Sequence, residues 1–293
     1  MSEIIPPNSA ERESFFREEP ETKYGSFDLD SMAIQIRQLR ESALHNQWTD
    51  EQLIRELHNQ RERVRQRTKE EDRPIVDIAY DAVTFYTNGL ARSRRTMMRE
   101  KGELVEREPK NLALEDVETR QNLLKLLCRQ TANPQIREIC QGLRSVWLEI
   151  LGPTRGKEIY NGILGEVAAA FLFHYSGREV YLPTPTEDAE EKIDLFSRTQ
   201  QGGTIVCQVK LASQPNLGLH HLSGELPPEA DRWTDEERLR LRQFGQRALQ
   251  KGCKPVIIFL PNPSQYSHID LEIGEPDEEL QDQFERALGK EGL

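Results

Sequence analysis

The sequence is short of the features that define several protein classes. Its four cysteines, Cys128, Cys140, Cys207 and Cys253, form no CxxC pair and have no histidine at zinc-finger spacing. Neither a disulfide framework nor a structural zinc site is written here, and reduced cysteines of a cytosolic protein are expected. The longest apolar run, Val167 to Phe173, is far short of the ~20 residues that span a bilayer. The opening Met1-Ser2-Glu3-Ile4-Ile5 has no basic stretch leading into an apolar one, so no signal peptide is expected and a cytoplasmic location is. There is no Walker-type glycine loop, no GxSxG and no matched Cys/His pattern. P-loop ATP hydrolysis and acyl transfer are therefore not expected.

A basic bias is also lacking. The net charge is −11 and the isoelectric point about 5.2, which taken whole argues against a polybasic nucleic-acid binder. The charge is uneven, however. Residues 1–30 carry −5, residues 31–150 carry +2, residues 151–269 carry −1 and residues 270–293 carry −7. The acidity belongs to the ends, and the 239 residues between them are close to neutral. At 293 residues the chain has room for one large domain or two smaller ones, with about three-quarters of its unfolded surface buried.

Four segments are expected: a flexible acidic lead-in at 1–28, a helical domain at 29–152, an α/β domain at 153–269 and an acidic tail at 270–293. In the second, apolar residues recur at helical spacing through Ile36 and Leu39, and again through Leu53, Leu57 and Val64. Thr49 and Gln52 have capping-box spacing. Further helices are expected from Pro74, over 112–127 and over 136–150. After Pro153 the pattern changes. A helix runs to Gly177, and strands follow at 179–182, 192–199 and 204–212, with a turn at Gly202-Gly203. A polar loop comes next. Thr234 and Glu237 then start a helix, and Pro255–Leu260 reads as a buried strand. The expected fold is α/β, a mixed sheet with a central antiparallel hairpin flanked by helices, preceded by an all-helical region.

The hairpin carries the chemistry. Pairing apolar faces sets Leu195 opposite Cys207 or Val209, which needs an odd number of loop residues or a bulge. Asp194 then shares a face with Gln208 and Lys210. A surface ion pair between Asp194 and Lys210 is the plain alternative. The preceding helix carries Gly162 and Gly165, small enough for close approach to a sheet. It also carries Glu166, a lone carboxylate in an apolar stretch, which is costly without a partner. A metal ion shared with Asp194 would be one. Oxygen donors of this kind suit Mg²⁺, and a lysine beside it would stabilise charge on a phosphate.

Gly165-Glu166, Ile193-Asp194-Leu195 and Gln208-Val209-Lys210, in that order over about residues 155–262, resemble the PD-(D/E)xK nuclease superfamily, the restriction-endonuclease-like fold. The core of that family runs helix, three antiparallel strands, helix, strand. The resemblance implies catalytic roles for Glu166, Asp194, Gln208 and Lys210, with metal contacts from Asp194, Gln208, Val209 and Glu166. It implies Mg²⁺ as cofactor, replaceable by Mn²⁺, and DNA as substrate in a restriction, defence or mobile-element setting. A homodimer or a nuclease-associated partner is in keeping with it. Two positions depart from the pattern. Ile193 stands where the proline would, and Gln208 where the second acid would, as in branches that carry the helix glutamate. The second departure keeps open a catalytically reduced DNA-binding or assembly module.

Arg92, Arg94, Arg95 and Arg99 form the densest basic cluster, and Arg238 and Arg242 line one helix face. Both are candidates for phosphate contact, against solvated helix surfaces. Arg61, Arg63, Arg65 and Arg67 read as surface. His220-His221 falls in the long loop, where adjacent histidines are awkward metal ligands. Trp48, Trp147 and Trp233 read as packing residues.

Overall fold

The structure, a computed structural model, describes residues 28–73, 75–77, 153–184, 187–199 and 201–293, with isolated positions elsewhere. The cluster Arg92, Arg94, Arg95 and Arg99 lies outside the described residues, as do the helices expected over 112–127 and 136–150, isolated positions apart. The chain divides into two compact units. One holds Asn161–Leu293, with Met1–Glu18 and Leu124–Arg129; the other holds Glu19–Leu123 and Gln130–Tyr160.

In the second unit, α1 (Leu29–His45) and α2 (Asp50–Arg67) are joined by a short turn. Asp28 caps α1 by accepting from the Ser31 N–H at 2.9 Å. Thr49 and Gln52 form the capping box expected at the start of α2. Ile36 and Leu57 are fully buried. Arg61 and Arg65 both reach Asp77, at 2.9 and 3.1 Å, so these two are structural rather than merely solvated.

The first unit is a mixed five-stranded sheet between helices. Its elements are α3 (Pro153–Tyr175) from Asn161 onward, β1 (Val180–Tyr181), β2 (Leu195–Arg198), β3 (Thr204–Ala212), β4 (Gly218–His221), α4 (Asp235–Gln250), β5 (Lys254–Pro261) and α5 (Glu278–Glu291). The spatial order is β1-β2-β3-β5-β4. The first three strands are an antiparallel meander, β5 runs parallel to β3, and β4 closes the edge antiparallel to β5. A parallel neighbour needs a crossover, which α4 provides. The interior place of β5 explains its unbroken apolar text, buried from Pro255 to Pro261.

Helices lie against both faces of this sheet. On one, α4 sets Leu241, Phe244 and Ala248 against Phe196, Val206 and Ile257. On the other, α3 is buried at every residue from Ile163 to Phe173. Gly165 permits that approach, since a Cβ there would stand 2.8 Å from Leu211 Cδ2. Gly162, expected to do the same, has nothing within 4 Å. At Gly274, with φ of +76°, a Cβ would meet Val167 at 2.9 Å and the Leu164 carbonyl at 3.1 Å.

Three expectations are corrected. Residues 270–293 are no tail: α5 buries Leu280, Phe284 and Leu288, and the Phe284 ring meets that of Phe173 edge-on at 5.0 Å. Acidic residues occupy the outer side of a helix whose i, i+4, i+8 stripe is core. The expected strand at 192–199 starts only at Leu195, because 187–191 form a π-helical turn and Lys192 takes a φ of 61°. The polar loop after β3 contains β4, so His220 and His221 lie on a strand.

Candidate active site

The β2–β3 register pairs Leu195 with Cys207 and Arg198 with Thr204. Five residues separate the last pair, an odd number as the matched faces require. Gly202, with φ of +83°, closes the turn, and its N–H donates to the Thr199 carbonyl at 3.0 Å.

The ladder becomes irregular at Asp194. Its N–H donates to the Cys207 carbonyl at 3.0 Å. Its carboxylate accepts the N–H of Val209 at 2.7 Å, supplying the acceptor that β2, which begins only at Leu195, does not offer there. Ile193, expected on the face of Leu195, instead joins Phe196 in the cluster beneath α4. The alternation thus breaks at Asp194, and its carboxylate stands at the strand edge, against the main chain between Gln208 and Lys210.

On β3 itself the alternation is regular. Val206 packs under α4, and Gln208 and Lys210 follow on that face. They line a cleft of about 850 Å³ with Lys192, Arg232, Trp233 and Arg240. Glu229 and Glu237 also line it, so four cationic side chains face two carboxylates. Gln208 donates to the Lys192 carbonyl at 3.3 Å, which fixes its amide on the cleft floor. Glu237 is held below the usual carboxylate range, first by the Thr234 N–H and then by its hydroxyl, with Lys210 and Arg240 adding to this.

The opposite face differs. Cys207 is fully buried, and burial pushes its thiol well above the usual range, with the charges of Asp194 and then Glu166 adding to the shift. Both carboxylates therefore act on the same buried sulfur, Asp194 from the start of β2 and Glu166 from α3. Glu166 is itself 8% exposed. Among the described residues no group of three or more His, Cys, Asp and Glu side chains is arranged to hold a metal ion, in keeping with Gln208 where a third acid would stand.

The remaining candidates separate from this site. Arg238 pairs with Asp235 at 2.6 Å. Arg242 is exposed but lines a small groove with Leu226 and Leu249 rather than the large cleft. Sequence reasoning missed Lys192, Glu229 and Arg232, and took Trp233 for packing alone. Glu229 and Arg232 come from a short 3₁₀ turn, Pro228–Arg232, whose only sequence signal is the Pro227-Pro228 pair before the α4 cap. His220 Nε2 approaches Glu229 Oε2 at 3.2 Å, and its ring lies edge-on to Phe259.

No family model, no curated protein and no solved structure matches the chain. Among the described residues no helix is long and apolar enough to cross a membrane.

Proposed function

We propose that the chain is a Mg²⁺-dependent nuclease that hydrolyses phosphodiester bonds of DNA, built on the PD-(D/E)xK plan. One observation carries this reading. The Asp194 carboxylate is locked onto the main chain of Val209, between Gln208 and Lys210 as they enter a cleft with more cationic than acidic side chains. The element order supports it: helix, three antiparallel strands, helix, then a strand parallel to the third, with β4 as an added edge.

The donor set fits a hard, largely hydrated cation. Two carboxylates, Asp194 and Glu166, would hold it, with the Gln208 amide and the Val209 carbonyl as neutral oxygen donors. When bound, Mg²⁺ supplies polarisation of a phosphoryl oxygen and acidification of a water. Lys210 stabilises the charge that develops on the phosphate. Lys192 and Arg232 hold neighbouring phosphates, fixing register without reading sequence.

The test is cleavage of plasmid, linear duplex, single-stranded and branched DNA, and of RNA, with Mg²⁺ or Mn²⁺. Lys210→Ala and Asp194→Asn should each lose roughly 10²–10³ in rate. Equal rates for wild type and both variants would remove the assignment. Two cuts in one duplex would call for a dimer, resolved by mass photometry during the reaction. Gln208 in place of the second acid, with no group of three or more His, Cys, Asp and Glu able to hold a metal among the described residues, favours a second reading, a binding module of reduced activity. DNA affinity without cleavage in either metal would select it.

A further inference from the structure

The large cleft is built for more than a scissile phosphate. Its floor is the β3 face at Gln208 and Lys210, and its wall is the 3₁₀ turn before α4, which contributes Glu229 and Arg232 and leads into Trp233. Trp233 is half-buried. It packs against the core beneath α4, with its ring 5.9 Å from that of Phe259, and its main-chain N–H donates to the Ala230 carbonyl at 3.1 Å. An aromatic side chain held by the core on one side and facing an open cleft on another is a ready stacking surface. Lys192, Lys210, Arg232 and Arg240 line the same cleft. Glu229 lines the cleft wall but is already engaged: its Oε2 lies 3.2 Å from His220 Nε2, and its Oε1 accepts from the Gln214 side chain at 3.4 Å.

An aromatic platform beside several cations matches one ligand chemistry, a single nucleotide out of its base stack. The base would lie on Trp233 and the phosphate would meet the cations. At about 850 Å³ the cleft is within the range of pockets that enclose one small ligand. A paired base cannot lay its face on a recessed ring, whereas an unpaired or extruded one can.

We infer that this cleft binds an unstacked nucleotide of DNA, so that the substrate is single-stranded, frayed or branched DNA rather than intact duplex. The inference rests on the nuclease reading for its choice of DNA, but the binding is measured without cleavage. Fluorescence anisotropy in EDTA, and again in Ca²⁺, would compare a labelled single-stranded oligonucleotide with the blunt duplex of the same sequence. The single strand should bind at least about tenfold more tightly. Trp233→Ala should weaken that binding about 5- to 150-fold and Trp233→Phe should recover most of it, as expected for one base–aromatic stack. Arg232→Ala should lower the salt slope by about 0.7 for each phosphate that is no longer neutralised.

Equal or tighter duplex binding would overturn the inference, as would full affinity in a folded Trp233→Ala. Should that variant unfold, Trp48→Phe/Trp147→Phe leaves Trp233 as the one tryptophan. Its emission should be quenched by the single strand, and unchanged emission would count against the site. Cleavage of intact duplex with no preference for single strands would sink this inference and leave the nuclease reading standing. Tight single-strand binding without cleavage would do the reverse.

Discussion

The two faces of β3 serve different ends, though the same nine residues make both. Beneath α3, Ile205, Cys207 and Val209 are buried and Gly165 lets the helix come close. Beneath α4 the strand starts equally dry at Val206, but then emerges. Gln208 is 9% exposed and Lys210 is open to solvent. Period-two alternation allows one strand to close a core on one side and floor a cleft on the other. Asp194 stands at the edge between them. Substitutions on the α3 side should therefore read out in stability, and substitutions along the cleft in activity or binding.

The largest expected effect is on the α3 side. Phe284 of α5 is 1% exposed and meets Phe173 of α3 edge-on. Phe284→Ala should cost about 3–5 kcal/mol, measured as a lower urea midpoint with unchanged slope. A loss under about 1 kcal/mol, the range of surface substitutions, would restore the picture of residues 270–293 as an appendage. The same packing alters what the local charge of −7 means. Trimming this segment would take core with it and so could not isolate an electrostatic effect on DNA.

Lys210→Ala belongs to the other side. Its loss in rate should come with a melting temperature within about 1–2 °C of wild type, because an exposed lysine contributes little to folding. A marked fall in stability would make Lys210 a structural residue and blur the division between the faces.

How much of this was legible in sequence depends on how local the cause is. The bounds of β3 are written in its alternation, and the odd register in Gly202, the residue able to take the positive φ that closes the turn. Capping boxes at Thr49 and Thr234 announced α2 and α4, because both partners lie three residues apart. Where the cause is tertiary the text is silent. β4 exists because β5 has an open edge, and the polar letters of Gly218–His221 do not require it. In α5 the stripe of Leu280, Phe284 and Leu288 was present, but dense acidic residues hid it. At the site, the face of Gln208 and Lys210 was readable. The break at Asp194 was not, since it follows from the positive φ of Lys192 and from the late start of β2. That Trp233 also lines the cleft follows from the 3₁₀ turn before it, which no local signal in the sequence positions.

The smallest effect tests the cleft wall itself. Thr234 accepts from the Glu237 N–H at 3.3 Å, and Glu237 reciprocates by accepting from the Thr234 N–H at 2.9 Å and from its hydroxyl at 2.8 Å. Replacing an N-cap threonine by alanine costs about 1 kcal/mol. The box also carries a pH signature. Glu237 is held below the usual carboxylate range mainly by Thr234, so the unfolded chain takes up its proton first as pH falls. The stabilisation is therefore complete above the ordinary glutamate value, near about 4.3, and fades as pH drops through the lower folded value. The stability difference between wild type and Thr234→Ala should be largest near neutral pH and shrink below about pH 4, followed by urea unfolding across that range. Because Trp233 immediately precedes the cap, the same variant should also loosen single-strand binding near neutral pH. A variant that loses stability yet holds the oligonucleotide as tightly as wild type would show that the wall is positioned by the Trp233–Phe259 packing alone.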